Sequence, residues 1–160
     1  MTVQVAVCGP SECSPQEAAH ARAVGSLLAK RGAIVVCGAG PGVMAAAAEG
    51  AADQGGVVIG IRPDTGNAKM SPGLTAVVRT NMGEARNAVI VNSADAVIAV
   101  GCSWGTLSEI ALAVRRGRIR VVTLGGWQIV DEAGRPLPGP IAANSPDDAV
   151  SLALDAIATP

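Results

Sequence analysis

The stretch Gly101-Cys102-Ser103-Trp104-Gly105-Thr106 delivers an apolar run into a helix-forming segment, and the chemistry it suggests is anion capture. The first amides of a helix have no intrahelical acceptor and carry the positive end of its dipole, so they can hold a phosphate. Gly101 and Gly105 let a ligand approach the backbone closely, and the hydroxyls of Ser103 and Thr106 add donors. Leu107, Ile110, Ala111 and Val114 follow at the spacing of a buried helix face. Glu109 has two readings: it closes a capping box with Thr106 at the N-cap, or it lies beside the ligand to stabilise positive charge or activate water. Trp104 covers the ligand or stacks on a base, or else caps the helix end or a subunit contact.

Arg86 and Asn87 fall on the first turns of a helix expected to start at Met82. There a guanidinium grips phosphate oxygens in two-pronged fashion, or pairs with Glu84 or Glu12. Two more loops share the expected end of the sheet: Cys8-Gly9-Pro10-Ser11, and Cys37-Gly38-Ala39-Gly40-Pro41-Gly42-Val43-Met44. The candidate ligand contacts in them are Gly9, Ser11, Gly38, Ala39, Gly40 and Gly42. The glycines of the second loop are spaced one residue too tightly for a dinucleotide fingerprint, and the next strand ends in Ile61-Arg62 with no acidic residue for a ribose diol. An NAD dehydrogenase is therefore not expected. Cys8, Cys13, Cys37 and Cys102 lack the paired spacing of a zinc site, and His20 stands in a helical stretch, so no metal is expected. Cys8, Cys37 and Cys102 each end an apolar run and could gather at one edge of the sheet, or serve only as small buried thiols.

Alternating elements must position these loops. β-Branched runs at Val3 to Val7, Ala33 to Cys37, Val57 to Ile61, Thr75 to Arg79, Ala94 to Val100 and Ile119 to Leu124 read as buried parallel strands. Helices are expected at about 15–31, 41–54, 82–93, 106–116 and 146–158. Ser14-Pro15-Gln16-Glu17 is a capping box with proline at the first helical position; Asn81-Met82-Gly83-Glu84 and Ser145-Pro146-Asp147-Asp148 repeat the scheme. Gly32 and Gly117 follow basic last turns and suit C-caps. Arg62 to Leu74 and Gly125 to Asn144 read as surface connections, the latter with a small hairpin around Gln128 to Arg135. The expected architecture is an α/β, doubly wound, Rossmann-like parallel sheet of six or seven strands with helices on both faces, as one domain over residues 1–160.

Composition narrows the partners. The net charge is −1 and Trp104 and Trp127 are the only aromatic residues, which speaks against nucleic acid, whose binding needs a basic stripe and usually stacking platforms. No basic leader precedes the first strand, and no apolar run nears the roughly 18 residues of a membrane span, so a cytoplasmic protein with no membrane partner is expected. A phosphorylated small molecule fits best.

These residues resemble the Rossmann-like lonely-guy, formerly lysine decarboxylase-like, superfamily, and within it most resemble the bacterial branch that includes the molybdenum cofactor carrier proteins. Cys37 through Met44 is similar to that family's glycine loop, Gly83-Glu84-Ala85-Arg86-Asn87 to its arginine helix, and Gly101 through Glu109 to its Gly-Thr-x-x-Glu signature, over about residues 3–124. The resemblance implies that the 101–106 loop holds the phosphate of a nucleotide or a phosphorylated pterin. In the enzymes of the wider group it implies that Arg86 and Glu109 assist cleavage of an N-glycosidic bond. Here Pro-Gly-Gly is replaced by Val100-Gly101-Cys102-Ser103, and Met-His-x-Arg-Lys by Met82 through Asn87. The expected function is accordingly a molybdenum cofactor carrier-like binding protein, with AMP or molybdenum cofactor as ligand, no cofactor needed for folding, and a homodimer or larger homo-oligomer as its state. The alternatives are a nucleoside 5'-monophosphate phosphoribohydrolase and a nucleotide-sensing regulator.

Overall fold

The computed structural model describes residues 1–66, 69–155 and 157. Strands β1 (Gln4–Cys8), β2 (Ile34–Cys37), β3 (Val58–Arg62), β4 (Ala76–Arg79), β5 (Ala96–Val100), β6 (Arg120–Leu124) and β7 (Ile141–Ala143) form one sheet in the order β4-β3-β2-β1-β5-β6-β7. Every pairing is parallel. Helices α1 (Pro15–Lys30), α2 (Val43–Ala52), α3 (Arg86–Asn92), α4 (Trp104–Arg116) and α5 (Pro146–Asp155) make the crossovers that parallel strands require. The core divides by face: Val5, Val7, Val35, Cys37, Ile98 and Val100 pack under α1, α2 and α5, while Ala6, Cys8, Val36, Val97 and Ala99 pack under α3 and α4. This is the doubly wound, Rossmann-like sheet expected from the alternating runs.

Small side chains let the first two helices touch backbone to backbone. A Cβ on Gly25 would lie 2.0 Å from the Ala47 carbonyl oxygen, and one on Gly50 2.0 Å from that of Arg22. A core without Phe or Tyr closes its gaps by such approach rather than by bulk.

The helix starts mix agreement and correction. Ser14 forms the full capping box with Glu17 ahead of Pro15, and Ser145 Oγ accepts the Asp148 amide at 3.1 Å. Gly32 and Gly117 take positive φ just past their helices. The helix expected from Met82 instead begins as a 3₁₀ turn, Gly83–Ala85, and turns α-helical only at Arg86. Asn81 has φ 53 and caps nothing; Thr80 Oγ1 takes the Met82 amide. The last helix is observed to Asp155, and of its expected end 156 and 158 lie outside the described residues.

The two connections also hold more structure than their composition suggests. Arg62 ends β3, is buried, and forks onto the Asp64 carboxylate; Ser71 is buried as well. Within 125–144 the hairpin reduces to a single antiparallel bridge, Val130 with Pro136, around an Asp131 turn. The same stretch yields edge strand β7, hidden in the sequence because it is short and follows Pro140.

Candidate functional site

The strand order reverses between β1 and β5, where crossovers leave in opposite directions and open a crevice at the carboxyl ends of the strands. Into this crevice come the loops after β1, β2 and β5. Gly9 follows β1 and lies against Val43, and the Val43 amide donates to the Pro10 carbonyl at 3.1 Å, knitting the first two loops together. Gly42, at φ 67, must lack a Cβ because one would stand 2.4 Å from the carbonyl oxygens of Pro10 and Ser11. Gly101, at φ 66, turns the chain out of β5 against the Glu17 carboxylate. Gly9, Ser11, Gly42 and the start of the 101–106 loop are thus brought together. Ala39 is buried with φ 59, held by the Ser71 amide on its carbonyl at 3.1 Å, while Ser71 Oγ donates to the Gly40 carbonyl at 2.5 Å.

The start of α4 departs from the Thr106 capping box. Ser103 is the N-cap, extended at φ −143, and its Oγ accepts the Thr106 amide at 3.3 Å and lies 3.1 Å from Thr106 Oγ1. Gly101 makes the turn early enough for helix to begin at Trp104, so Thr106 is buried inside the first turn and Glu109 is six positions past the cap, out of reach of it. The Trp104 and Gly105 amides, at the first two helical positions, remain for a ligand. Trp104 is 78% exposed and meets Trp127 edge to face, ring centroids 5.0 Å apart.

Freed from capping, Glu109 faces Arg86. The Arg86 Nη1 to Glu109 Oε1 distance is 4.0 Å, and both side chains are nearly enclosed; neither Glu84 nor Glu12 is its ion-pair partner among the described residues. Arg86 Nε and Nη1 are buried without a hydrogen-bond partner. The guanidinium occupies space left by Gly38, where a Cβ would be 2.4 Å from Nη1. Burial pushes the Glu109 carboxyl up to about 7 against the opposing pull of Arg86 and of the Cys8 thiol that faces it. Burial, and then Glu109, raise Cys8 well above the usual thiol range; burial raises Cys37 to about 11. Both thiols are therefore protonated and poor nucleophiles. They reach the same end of the sheet on opposite faces, whereas Cys102 interacts with the backbone of Trp127 and Ser103.

Asn87 is buried and its Nδ2 donates to Ser108 Oγ at 2.9 Å; Ser108 Oγ in turn donates to the Gly105 carbonyl at 2.7 Å. This chain ties α3 to the first turn of α4 and fixes Arg86 relative to the helix end. Ser71 and Ser108 carry roles that sequence reasoning missed. Ser71 matters only because the chain after β3 folds back on the glycine loop, for which no local pattern exists. Ser108 stood inside the recognised motif, two residues past Thr106, the second of the hydroxyls expected to act.

The crevice gathers two helix amides without an intrahelical acceptor, the Ser103–Thr106 hydroxyl pair and the enclosed Arg86 guanidinium with donors unused, a set of groups chemically suited to an anion. A buried carboxyl that titrates near neutrality stands beside that cation.

The chain is similar to known proteins in sequence and in structure. A relative from Archaeoglobus fulgidus, itself uncharacterised, is 40% identical over 122 residues, 76% of this chain and 80% of its own. The molybdenum cofactor binding protein of Rippkaea orientalis superposes with a TM-score of 0.88 at 31% identity, covering 98% of both chains. The molybdenum cofactor carrier protein of Chlamydomonas reinhardtii superposes with a TM-score of 0.84 at 26% identity, covering 99% of this chain and 100% of its own. These agree with the resemblance drawn from the three motifs. The SLOG cluster4 family model matches residues 2–150, beyond the reach of those motifs, and the chain belongs to that family.

Proposed function

We propose that the protein binds a phosphorylated small molecule, of molybdenum cofactor carrier-like type, with the phosphate at the α4 N-terminus and the 101–106 loop. The observation that carries this reading is the Arg86 guanidinium, enclosed beside Glu109 of α4 with Nε and Nη1 lacking a hydrogen-bond partner. Leaving charged donors unpaired inside a protein is costly, and an anionic ligand removes the cost. The likeness to two molybdenum cofactor-binding structures supports a phosphorylated pterin as the ligand. A homodimer or larger homo-oligomer is part of the proposal, as is a cytoplasmic setting; no helix among the described residues is long and apolar enough to cross a membrane.

The residues fit that cofactor at its phosphate. Trp104 and Gly105 amides, Ser103 Oγ and Arg86 would hold it. Bound there, the cofactor is cargo and supplies no chemistry to this chain. Ser103 and Arg86 orient the phosphate, Asn87 and Ser108 position them, and Glu109 in its protonated form adds a neutral donor where a carboxylate would repel the anion.

A second reading, nucleotide phosphoribohydrolase, is favoured by one observation: Glu109 titrates near 7, as a general acid should. Incubation of the purified protein with AMP and with a phosphorylated pterin, assaying bound ligand and released base, separates the two. Saturable binding without base release supports the binding protein. Base release that disappears in Glu109→Ala and Arg86→Ala overturns it.

A further inference from the structure

Helices α1, α2 and α5 cover one face of the sheet, α5 reaching β6 and β7, whereas the other face carries only α3 and α4, of which α4 packs on Val121 of β6. On β6 and β7, Thr123 and Ala142 sit side by side in register, half-buried and exposed respectively. Residues 125–140 bend back above them as an outer wall, and the space between this wall and α4 is a trough of about 810 Å³.

Leu107, Ala111 and Val114 of α4, spaced like a core-facing stripe, line this trough instead of packing; Ala111 and Val114 are exposed. Opposite them stand Ile129 and Leu137, and Val114 and Leu137 are 37% and 47% exposed, unusual for large aliphatic side chains. The volume is that of a small-molecule site, and the lining is the corresponding mixture of many apolar groups with a few polar ones, here Arg115, Thr123, Gln128 and Cys102.

The trough extends to the start of α4. Cys102 and Trp127 line it, Trp127 packs on the first residue of α4, and a Cβ on Gly126 would stand 2.8 Å from the Gly101 carbonyl. A group held by the Trp104 and Gly105 amides therefore has two directions in which to extend: toward Gly38 and Arg86, or past the tryptophan pair into the trough.

We propose that the trough is a second arm of the binding site, taking the planar, largely apolar ring body of a phosphate monoester whose phosphate rests on the α4 N-terminus. This rests on the phosphate reading above. Fused rings slide between the Leu107–Ala111 stripe and the Leu137 wall, with an edge against the Trp127 indole. Thr123 and Gln128 supply the hydrogen bonds that fix ring orientation. The 101–106 loop sets affinity for any phosphate, and the trough selects among phosphate esters by their bodies.

Inorganic phosphate, 2-naphthyl phosphate and uncharged 2-naphthol are the probes, titrated calorimetrically against the whole protein, Ala111→Phe and Ala142→Phe. Both substitutions fill the trough from exposed positions and leave the loop untouched. Naphthyl phosphate is expected to bind the unmodified protein more tightly than phosphate by on the order of tenfold or more. Both variants should lose that preference and keep phosphate affinity. A preference that survives in both variants overturns the proposal. Naphthol binding that the variants abolish, with no response to phosphate, would retain the trough while removing the phosphate loop. A dimer in sedimentation velocity that both variants dissociate would make the trough a subunit contact and overturn it.

Discussion

Glu109 gives the molecule its pH response. Its folded pKa of about 7 lies above the ordinary 4.5, so folding favours the protonated form. Stability is then fully present below about 4.5, declines as pH rises through 7, and levels off above. A shift of this size corresponds to roughly 3 kcal/mol. Urea denaturation from pH 5 to 8 should show a decline that Glu109→Gln abolishes, leaving the variant more stable at pH 8 by about that amount. An equal slope in both proteins would remove Glu109 as its source. Gly38 offers a separate handle on Arg86. The Cβ of Gly38→Ala would strike the ends of Arg86 and Met44, both flexible side chains. Phosphate affinity should drop on the order of tenfold, as for a lost charged hydrogen bond, with a small change in melting temperature. Gly38, Arg86 and Glu109 were legible in the sequence as types at a spacing. Their mutual contact was not, because it joins the second, third and fourth helical crossovers, and only the strand order brings these together.

At the scale of elements, the α4 N-terminus depends on Ser103. Ser103→Ala should cost about 1 kcal/mol as a lost N-cap and weaken phosphate binding besides. Thermal melts and calorimetry test the two effects separately, and an unchanged affinity would detach the cap from the site. Trp104 and Trp127 are the only aromatic residues and they touch each other beside this helix end. Intrinsic fluorescence therefore reports on the loop alone: binding should shift it, and Trp127→Leu should diminish the shift. Here sequence pattern misplaced the N-cap by three residues, choosing Thr106 over Ser103, because Thr-x-x-Glu satisfies a capping box locally. The φ of Gly101 decides the matter, and no pattern states it. The same limit hid the 3₁₀ turn before Arg86, where Asn81 looks like a cap and instead adopts a left-handed turn.

The whole molecule is a packing of small residues, and its fold was the most legible feature because buried parallel strands are continuous apolar runs. What stayed hidden was β7 and the trough beside it, since three residues between prolines and glycines have no readable period. The stripe Leu107, Ile110, Ala111 and Val114 was expected to be the buried face of α4, but of these only Ile110 is buried; the helix turns Thr106, Glu109 and Ala113 inward with it and leaves Ala111 and Val114 exposed. The close approach of α1 and α2 sets a global prediction. Gly50→Ala places a Cβ against the Arg22 carbonyl and should destabilise by about 2 kcal/mol, an overpacking cost. Chemical denaturation would measure it, and a neutral result would mean that the helices can separate freely.

The central claim is that phosphate rests on the α4 N-terminus with Arg86. Amide-resolved NMR titration with inorganic phosphate tests it directly. Saturable shifts are expected at the Trp104 and Gly105 amides and at Arg86 Nε, and the two amide shifts should vanish in Ser103→Ala combined with Arg86→Met. Saturation that perturbs another surface and leaves these three signals still would contradict the account.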